Sequence, residues 1–209
     1  MSRRVVITGR GVVSPLGFGL EAHWAGALGG RSAIRRSSHL AAQGLPVDLA
    51  APVSDTELAP YLNRLPRKQL KLLSRVTRFA MLAASLAVEE AGLGSSPPDP
   101  TRFGVFLGTF FTALDPAAFV QLLAASESER EPGSLDLAKA NAYCMASVNP
   151  IDYSLKTMPN LGAGHLAIAH NAQGVCRVVS DPPTGGLQAI AQAACAIREG
   201  LADVALAGG

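Results

Sequence analysis

The sequence is poor in charge, in aromatic residues and in cysteine. Only 16% of its 209 residues are Asp, Glu, Lys or Arg, against roughly 25% in an ordinary soluble domain. A monomer of this size with so few charges lacks the polar surface to cover itself. An obligate partner, or further chain of the same fold, accounts for that. Disorder is excluded, because 48% of the residues are hydrophobic and the net charge is only +2. The same small charge, with no Lys/Arg stripe interleaved with aromatics, excludes a strong nucleic-acid binder. No apolar run is long enough to span a membrane. The opening MSRRVVITGRG has too few apolar residues for a secretory signal, so a cytoplasmic chain is expected.

The cysteines number three, Cys144, Cys176 and Cys195, and form no CxxC. A disulfide framework and a zinc site are therefore not expected. His165 and His170 are five apart, off the three-or-four spacing that puts two ligands on one helix face. They read as structural or solvent-facing residues. Gly9 and Gly11 begin a glycine pattern, but Val13, Ser14 and Pro15 stand where a dinucleotide loop needs further glycines. No cofactor and no metal are expected.

At about 150 residues per domain the chain is one large domain or two small ones. Val5 to Thr8 is β-branched and closed by glycines, and is predicted as a buried first strand. Glu21 to Leu28 reads as a short helix, and residues 30 to 66 as irregular surface with Arg-rich spots. Lys68 to Ala91 is the clearest helix, with Leu72, Leu73, Val76, Ala80, Ala83, Ala84 and Ala87 on its apolar face and Gly92 as its stop. FGVFLG, from Phe103, is a strand apolar enough to be buried on both faces. Phe110 to Ala125 is helical after Pro116, and Glu127 to Ser134 is a solvated loop. Asn160 to Asn171 is a helix of small residues. Cys176 to Ser180 is a third strand, followed by a tight turn at Asp181 to Gly186. Leu187 to Glu199 is a helix whose packing face carries Leu187, Ile190, Ala191, Ala194 and Ile197. Ala202 to Ala207 is a fourth strand. Strands alternating with helices predict an α/β fold with a mainly parallel sheet flanked by helices.

Three segments taken together carry a resemblance. They are RVVITGRGVVSPLG (residues 4 to 17), MPNLGAGHLAIAHNAQG (residues 158 to 174) and GGLQAIAQAACAIREGLADVALAGG (residues 185 to 209). In that order and at that spacing they resemble the N-terminal half of the elongating β-ketoacyl-acyl-carrier-protein synthases. The resemblance implies a thiolase-like fold made of two similar α/β halves. Residues 1 to 209 would form one N-terminal domain, with the C-terminal half absent.

The resemblance also exposes a departure. The family's nucleophile is a Cys three residues before the Gly that opens LQAI, and here that position is Pro183. Acyl transfer in the family needs a thiolate at a helix N-terminus and a backbone N–H for the oxyanion. Proline offers neither, yet it suits the first turn of a helix, so the turn is expected to survive without the chemistry. Cys176 and Cys195 fall away from the helix start and are expected as buried structural residues. Cys144 has no identifiable base. The family's catalytic histidines lie in its C-terminal half, so no catalytic residue is assigned.

The likeness extends to the chain-length factors of type II polyketide synthases, which lack the Cys and pair with an active ketosynthase. By that likeness Phe110, Phe111, Leu114 and Phe119 would wall the partner's acyl tunnel; filling this domain's own core is their other reading. The strand Cys176, Arg177, Val178, Val179 and Ser180 would lie at the dimer interface. The function implied is a non-catalytic subunit that forms a heterodimer with an active ketosynthase and shapes its acyl tunnel, with acyl carrier protein met indirectly. Two alternatives stand beside it: half of a split condensing enzyme, and a pseudoenzyme that binds acyl carrier protein. Arg31, Arg35, Arg36, Arg64 and Arg67 offer that carrier a basic contact, a solvated surface being the plainer reading.

Overall fold

The computed structural model describes residues 3–42, 44, 46–65, 67–110, 116–147 and 156–209. A parallel three-stranded sheet lies at its centre, in the order β6-β5-β7. Here β5 is Phe103–Gly108, β6 is Cys176–Val179 and β7 is Val204–Gly208. The register runs Val105 opposite Cys176 on one side and Phe103 opposite Val204 on the other. Every residue of β5 is buried, as a central parallel strand with helices on both faces requires.

The pleat of β5 divides the core. Phe103, Val105 and Leu107 join one apolar cluster, with Ala163 and Leu166 of helix α8 (Pro159–Ala169) and Met81 and Leu82 of helix α5 (Arg75–Glu90). Phe106 points the other way and packs with Ala189, Ala193 and Ala196 of helix α9 (Gly185–Arg198). The sheet is thus sandwiched between helices, as the alternation of elements predicts.

Four expectations need correction. First, Val5 to Thr8 forms no strand, and Ile7 is 78% exposed. This stretch is gripped at one end, where Gly9 and Gly11 press on α5: a Cβ on either would lie 2.1 Å from Ala87 O or 1.8 Å from Ala83 O. It finds no ladder partner among the described residues. The first strands are instead β1 (Val13–Ser14) and β2 (Gly17–Phe18), a small antiparallel hairpin that leads into α1 (Leu20–Leu28).

Second, residues 30 to 66 are not all surface. Short strands β3 (Arg35–Arg36) and β4 (Leu49–Ala50) pair antiparallel around the five-residue helix α2 (Ser38–Ala42). Helix α3 (Asp55–Leu62) then places Leu58 in the core at 2% exposure, followed by buried Leu65. Ser54 Oγ accepts from the Glu57 N–H at 3.1 Å, and Glu57 accepts from the Ser54 N–H at 2.8 Å. This capping box is readable in Ser54-Asp55-Thr56-Glu57.

Third, the long helix begins later. A single turn, α4 (Arg67–Leu70), comes first, and Ser74 caps α5 by accepting from the Thr77 N–H at 3.2 Å. Val76 is exposed, while Thr77, Met81 and Leu82 are buried. Ala83 and Ala87 keep their place in packing as the seat of the N-terminal glycines.

Fourth, α9 turns its other side to the sheet. Gly185, Ala189, Ala193 and Ala196 are buried, while Leu187 is 74% exposed and Ile190 also faces out. The helix meets the strand ends backbone to backbone, so only small residues fit between. Helices α6 (Pro116–Ala125) and α7 (Leu137–Ser147) pack on each other beyond β5.

Candidate functional site

The turn from β6 into α9 lies at the carboxyl ends of parallel strands, where α/β sheets carry their sites. Four glycines bring it there. A Cβ on Gly108 would sit 2.2 Å from Gly185 C, and one on Gly209 would sit 2.3 Å from Gly108 O. A Cβ on Gly186 would lie 3.2 Å from Gly209 O. The end of β5, the end of β7 and the start of α9 thus meet through backbone alone. The sequence carries this signal as glycine closing FGVFLG, opening GGLQ and closing LAGG, but only their convergence gives it meaning.

Pro183 is exposed and sits just before Thr184, the cap of α9. It thus lies a step outside the first turn where the sequence placed it, and α9 is intact behind it. Asp181 organises the turn, a role sequence reasoning missed. Its carboxylate accepts from Thr184 Oγ1 at 2.8 Å and from Gln188 Nε2, while its carbonyl accepts from the Gly185 N–H at 2.6 Å. Gln188 Nε2 also donates to Thr184 Oγ1 at 2.7 Å. The negative charge of Asp181 at the start of α9 has the favourable sense for the helix dipole. The arrangement can close a helix, and the turn from Asp181 to Gly186 contains no thiol.

The cysteines do not replace one. Cys176 opens the edge strand β6, and Cys195 lies on α9 beside a shallow cavity of about 230 Å³ shared with Arg177 and Glu199. Both are exposed, which corrects the expectation of buried cysteines. Cys176 belongs to an edge strand, and Cys195 borders the open cavity between α9 and that strand. Partial desolvation holds the Cys176 thiol above its ordinary pKa, the opposite of an activated thiol. His165 is buried, and neither of its ring nitrogens has a hydrogen-bond partner; His170 Nε2 is likewise buried and unpartnered. Burial lowers the pKa of both, so both are neutral at pH 7.

Of the four residues read as tunnel walls, Phe111 and Leu114 lie outside the described residues. Phe110 is 65% exposed and Phe119 on α6 is also exposed, so neither fills this domain's core. On β6, Cys176 and Arg177 are exposed, Val178 is half-buried and Val179 is buried, and Ser180, just past its end, is exposed. The strand pairs only with β5 among the described residues, leaving its outer edge open. The arginine cluster divides. Arg36 pairs with Asp48 at 2.8 Å and Arg64 pairs with Glu89, whereas Arg31 and Arg35 line a groove beside α1. No helix among the described residues is long and apolar enough to cross a membrane.

Comparison with known proteins places this geometry. The model of the beta-ketoacyl synthase N-terminal domain matches residues 2–209. The chain is 34% identical over 208 residues to the putative polyketide beta-ketoacyl synthase 1 of Streptomyces halstedii, covering 100% of this chain and 46% of that protein. It is 32% identical over 203 residues to the putative polyketide beta-ketoacyl synthase 2 of the same organism, covering 97% and 44%. The solved ishigamide ketosynthase/chain length factor superposes on 100% of this chain and 47% of its own, with a TM-score of 0.76 at 25% identity. The chain thus spans about half the length of the proteins it matches. The match over nearly every residue, together with the parallel sheet and the α9 turn, shows that this chain belongs to the beta-ketoacyl synthase N-terminal domain family.

Proposed function

We propose that this chain is a non-catalytic ketosynthase-like subunit, a chain-length factor, that pairs with an active ketosynthase and shapes its acyl tunnel in polyketide or fatty-acid-like synthesis. The observation that carries the reading is Pro183 ahead of an intact α9. The family's thiol position is lost while the helix that would have activated it is kept. The four-glycine approach that seats α9 against the strand ends is kept with it. A chain that completes a dimer must keep the shape.

Two exposed apolar surfaces support a covering partner. Phe110 and Phe119 stand out beside β5 and α6, and Leu187 and Ile190 stand out along α9. The open edge of β6 supplies unpaired backbone groups of the kind that another strand satisfies. In the cytoplasm the partner would contribute the Cys and both His, and would join carrier-bound acyl units by decarboxylative condensation. Acyl carrier protein is then met through that partner.

The test is co-expression with the full-length ketosynthase encoded nearest to this chain, tagging only this chain, followed by pull-down and native mass. A stable one-to-one complex is expected. Within it, Phe110→Ala and Phe119→Ala would change product length without abolishing condensation. A monodisperse free chain with no complex would overturn the reading. So would acyl-enzyme formation by this chain alone.

A further inference from the structure

We propose that the groove between α1 and residues 31–35 binds a small oxyanion, a carboxylate or a phosphate group, on the Arg31 guanidinium, with Arg35 as the second cation. The proposal does not depend on the chain-length-factor reading. The groove has a volume of about 1000 Å³, enough for a small ligand. One wall is the small face of α1, formed by Ala22, Ala25, Gly26 and Gly29, and the facing wall carries Tyr61.

Gly26 builds the site. It is buried, and its carbonyl accepts from the Arg31 N–H at 3.0 Å, fixing the chain just past α1. The Arg31 side chain then folds back over the same glycine. A Cβ there would lie 2.9 Å from Nη2 and 3.3 Å from Cζ. A larger residue would push the guanidinium off this place, so the glycine is what lets Arg31 lie against α1.

Arg31 has no ion-paired carboxylate among the described residues. Six other arginines, Arg3, Arg10, Arg36, Arg64, Arg75 and Arg102, each pair with a carboxylate. Arg31 forms no such pair among the described residues, while the charge of Arg35 acts on the Glu57 carboxylate. Glu57 is the carboxylate that lines the groove, and it is already held by the Ser54 N–H at 2.8 Å and Ser54 Oγ at 2.9 Å. A guanidinium presents a planar fork that matches a carboxylate or phosphate. An oxyanion seated on Arg31 supplies the charge the fold leaves out.

The experiment titrates the full chain with sodium phosphate and, separately, sodium malonate at constant ionic strength. Binding is read by calorimetry and by amide shifts at Gly26, Gly29 and Ser32. Saturable binding of at least one anion is expected, and which one binds tells a phosphoryl from a carboxylate ligand. Arg31→Met should weaken it at least tenfold, Gly26→Ala should do likewise with Arg31 intact, and Arg67→Met, outside the groove, should leave it unchanged. Arg35→Met gives a further readout if Gly26→Ala fails to fold. Absence of saturable shifts would overturn the proposal, as would an equal loss in Arg67→Met, which would reduce the effect to general charge.

Discussion

Arg102 grips Asp203 with both arms of its guanidinium, Nε to Oδ2 at 3.0 Å and Nη2 to Oδ1 at 2.8 Å. The pair ties the residue before β5 to the residue before β7. Arg3 adds a third bond to Asp203 Oδ1 at 2.9 Å, and the Asp203 N–H donates to the Arg102 carbonyl at 2.9 Å. The register of the two strands is thus clamped at their amino ends, while glycines bring their carboxyl ends to α9.

The hydrogen bonds from Arg102, ahead of the charge of Arg102 and the contacts of Arg3, lower the Asp203 pKa to about 2. A carboxylate with a lowered folded pKa stabilises the fold above its ordinary pKa, and the effect fades as pH falls towards about 2. Asp203→Asn should therefore lower the thermal midpoint at pH 7, and the difference from the parent chain should shrink on acidification. The pair is half exposed, so the loss should be no more than a few degrees. Thermal melts of both chains across the acid range check this.

His165 and His170 give a second pH dependence, near neutrality. Desolvation lowers the pKa of buried His165 and half-buried His170 in the fold, so they take up protons at lower pH than in the unfolded chain, where they do so below about pH 6.5. Stability should be full above that pH and fall as pH drops below it. His165→Leu removes two unpartnered nitrogens and should stabilise the chain by about 1 kcal/mol at pH 7. It should also flatten the decline. Urea unfolding at pH 7.5 and 5.5 measures both, and an unchanged slope in the variant would remove His165 from the account.

Gly108→Ala tests the backbone convergence. The added methyl would meet Gly185 C at 2.2 Å and Gly186 N at 2.3 Å, with no side chain available to move aside. The expected cost is more than about 3 kcal/mol, because α9 must shift off the sheet. Gly94→Ala, where nothing lies within 4 Å of the new methyl, is the control and should be close to neutral. Equilibrium unfolding of the pair of variants decides it.

Helix α3 is tested through its cap and its anchor. Ser54→Ala removes the acceptor for the Glu57 N–H and should cost about 1 kcal/mol. Leu58→Ala empties a core position and should cost about 2–5 kcal/mol. If residues 55 to 62 were solvated loop, both values would be close to zero in denaturant titrations.

Several elements of this protein are legible in the order of its residues. The β-branched and aromatic run FGVFLG predicts a strand buried on both faces, and β5 is that strand. The small-residue helix, the GGLQ helix and the LAGG strand also match their predicted spans within about two residues. The proline at position 183 is a matter of identity at one position, and it carries neither thiol nor N–H. These features depend on local periodicity and residue chemistry, which a sequence displays directly.

Other features depend on what lies across space. The apolar residues of α9 repeat on a visible face, but periodicity cannot say which face meets the sheet. The backbone contact at Gly108 and Gly209 admits only alanine and glycine, so the larger side chains turn outward. Val5 to Thr8 has the composition of a strand, yet a strand exists only where a neighbour supplies hydrogen bonds. Cys176 and Cys195 are expected inside by their residue type, and their positions on an edge strand and beside an open cavity leave them exposed. The sequence by itself determined the layered α/β class, the family and the proline ahead of α9. Tertiary structure alone decided which faces are covered, how the glycines bring α9 to the strand ends, and that Arg31 lies over Gly26, because each depends on distances in space that the order of residues does not display.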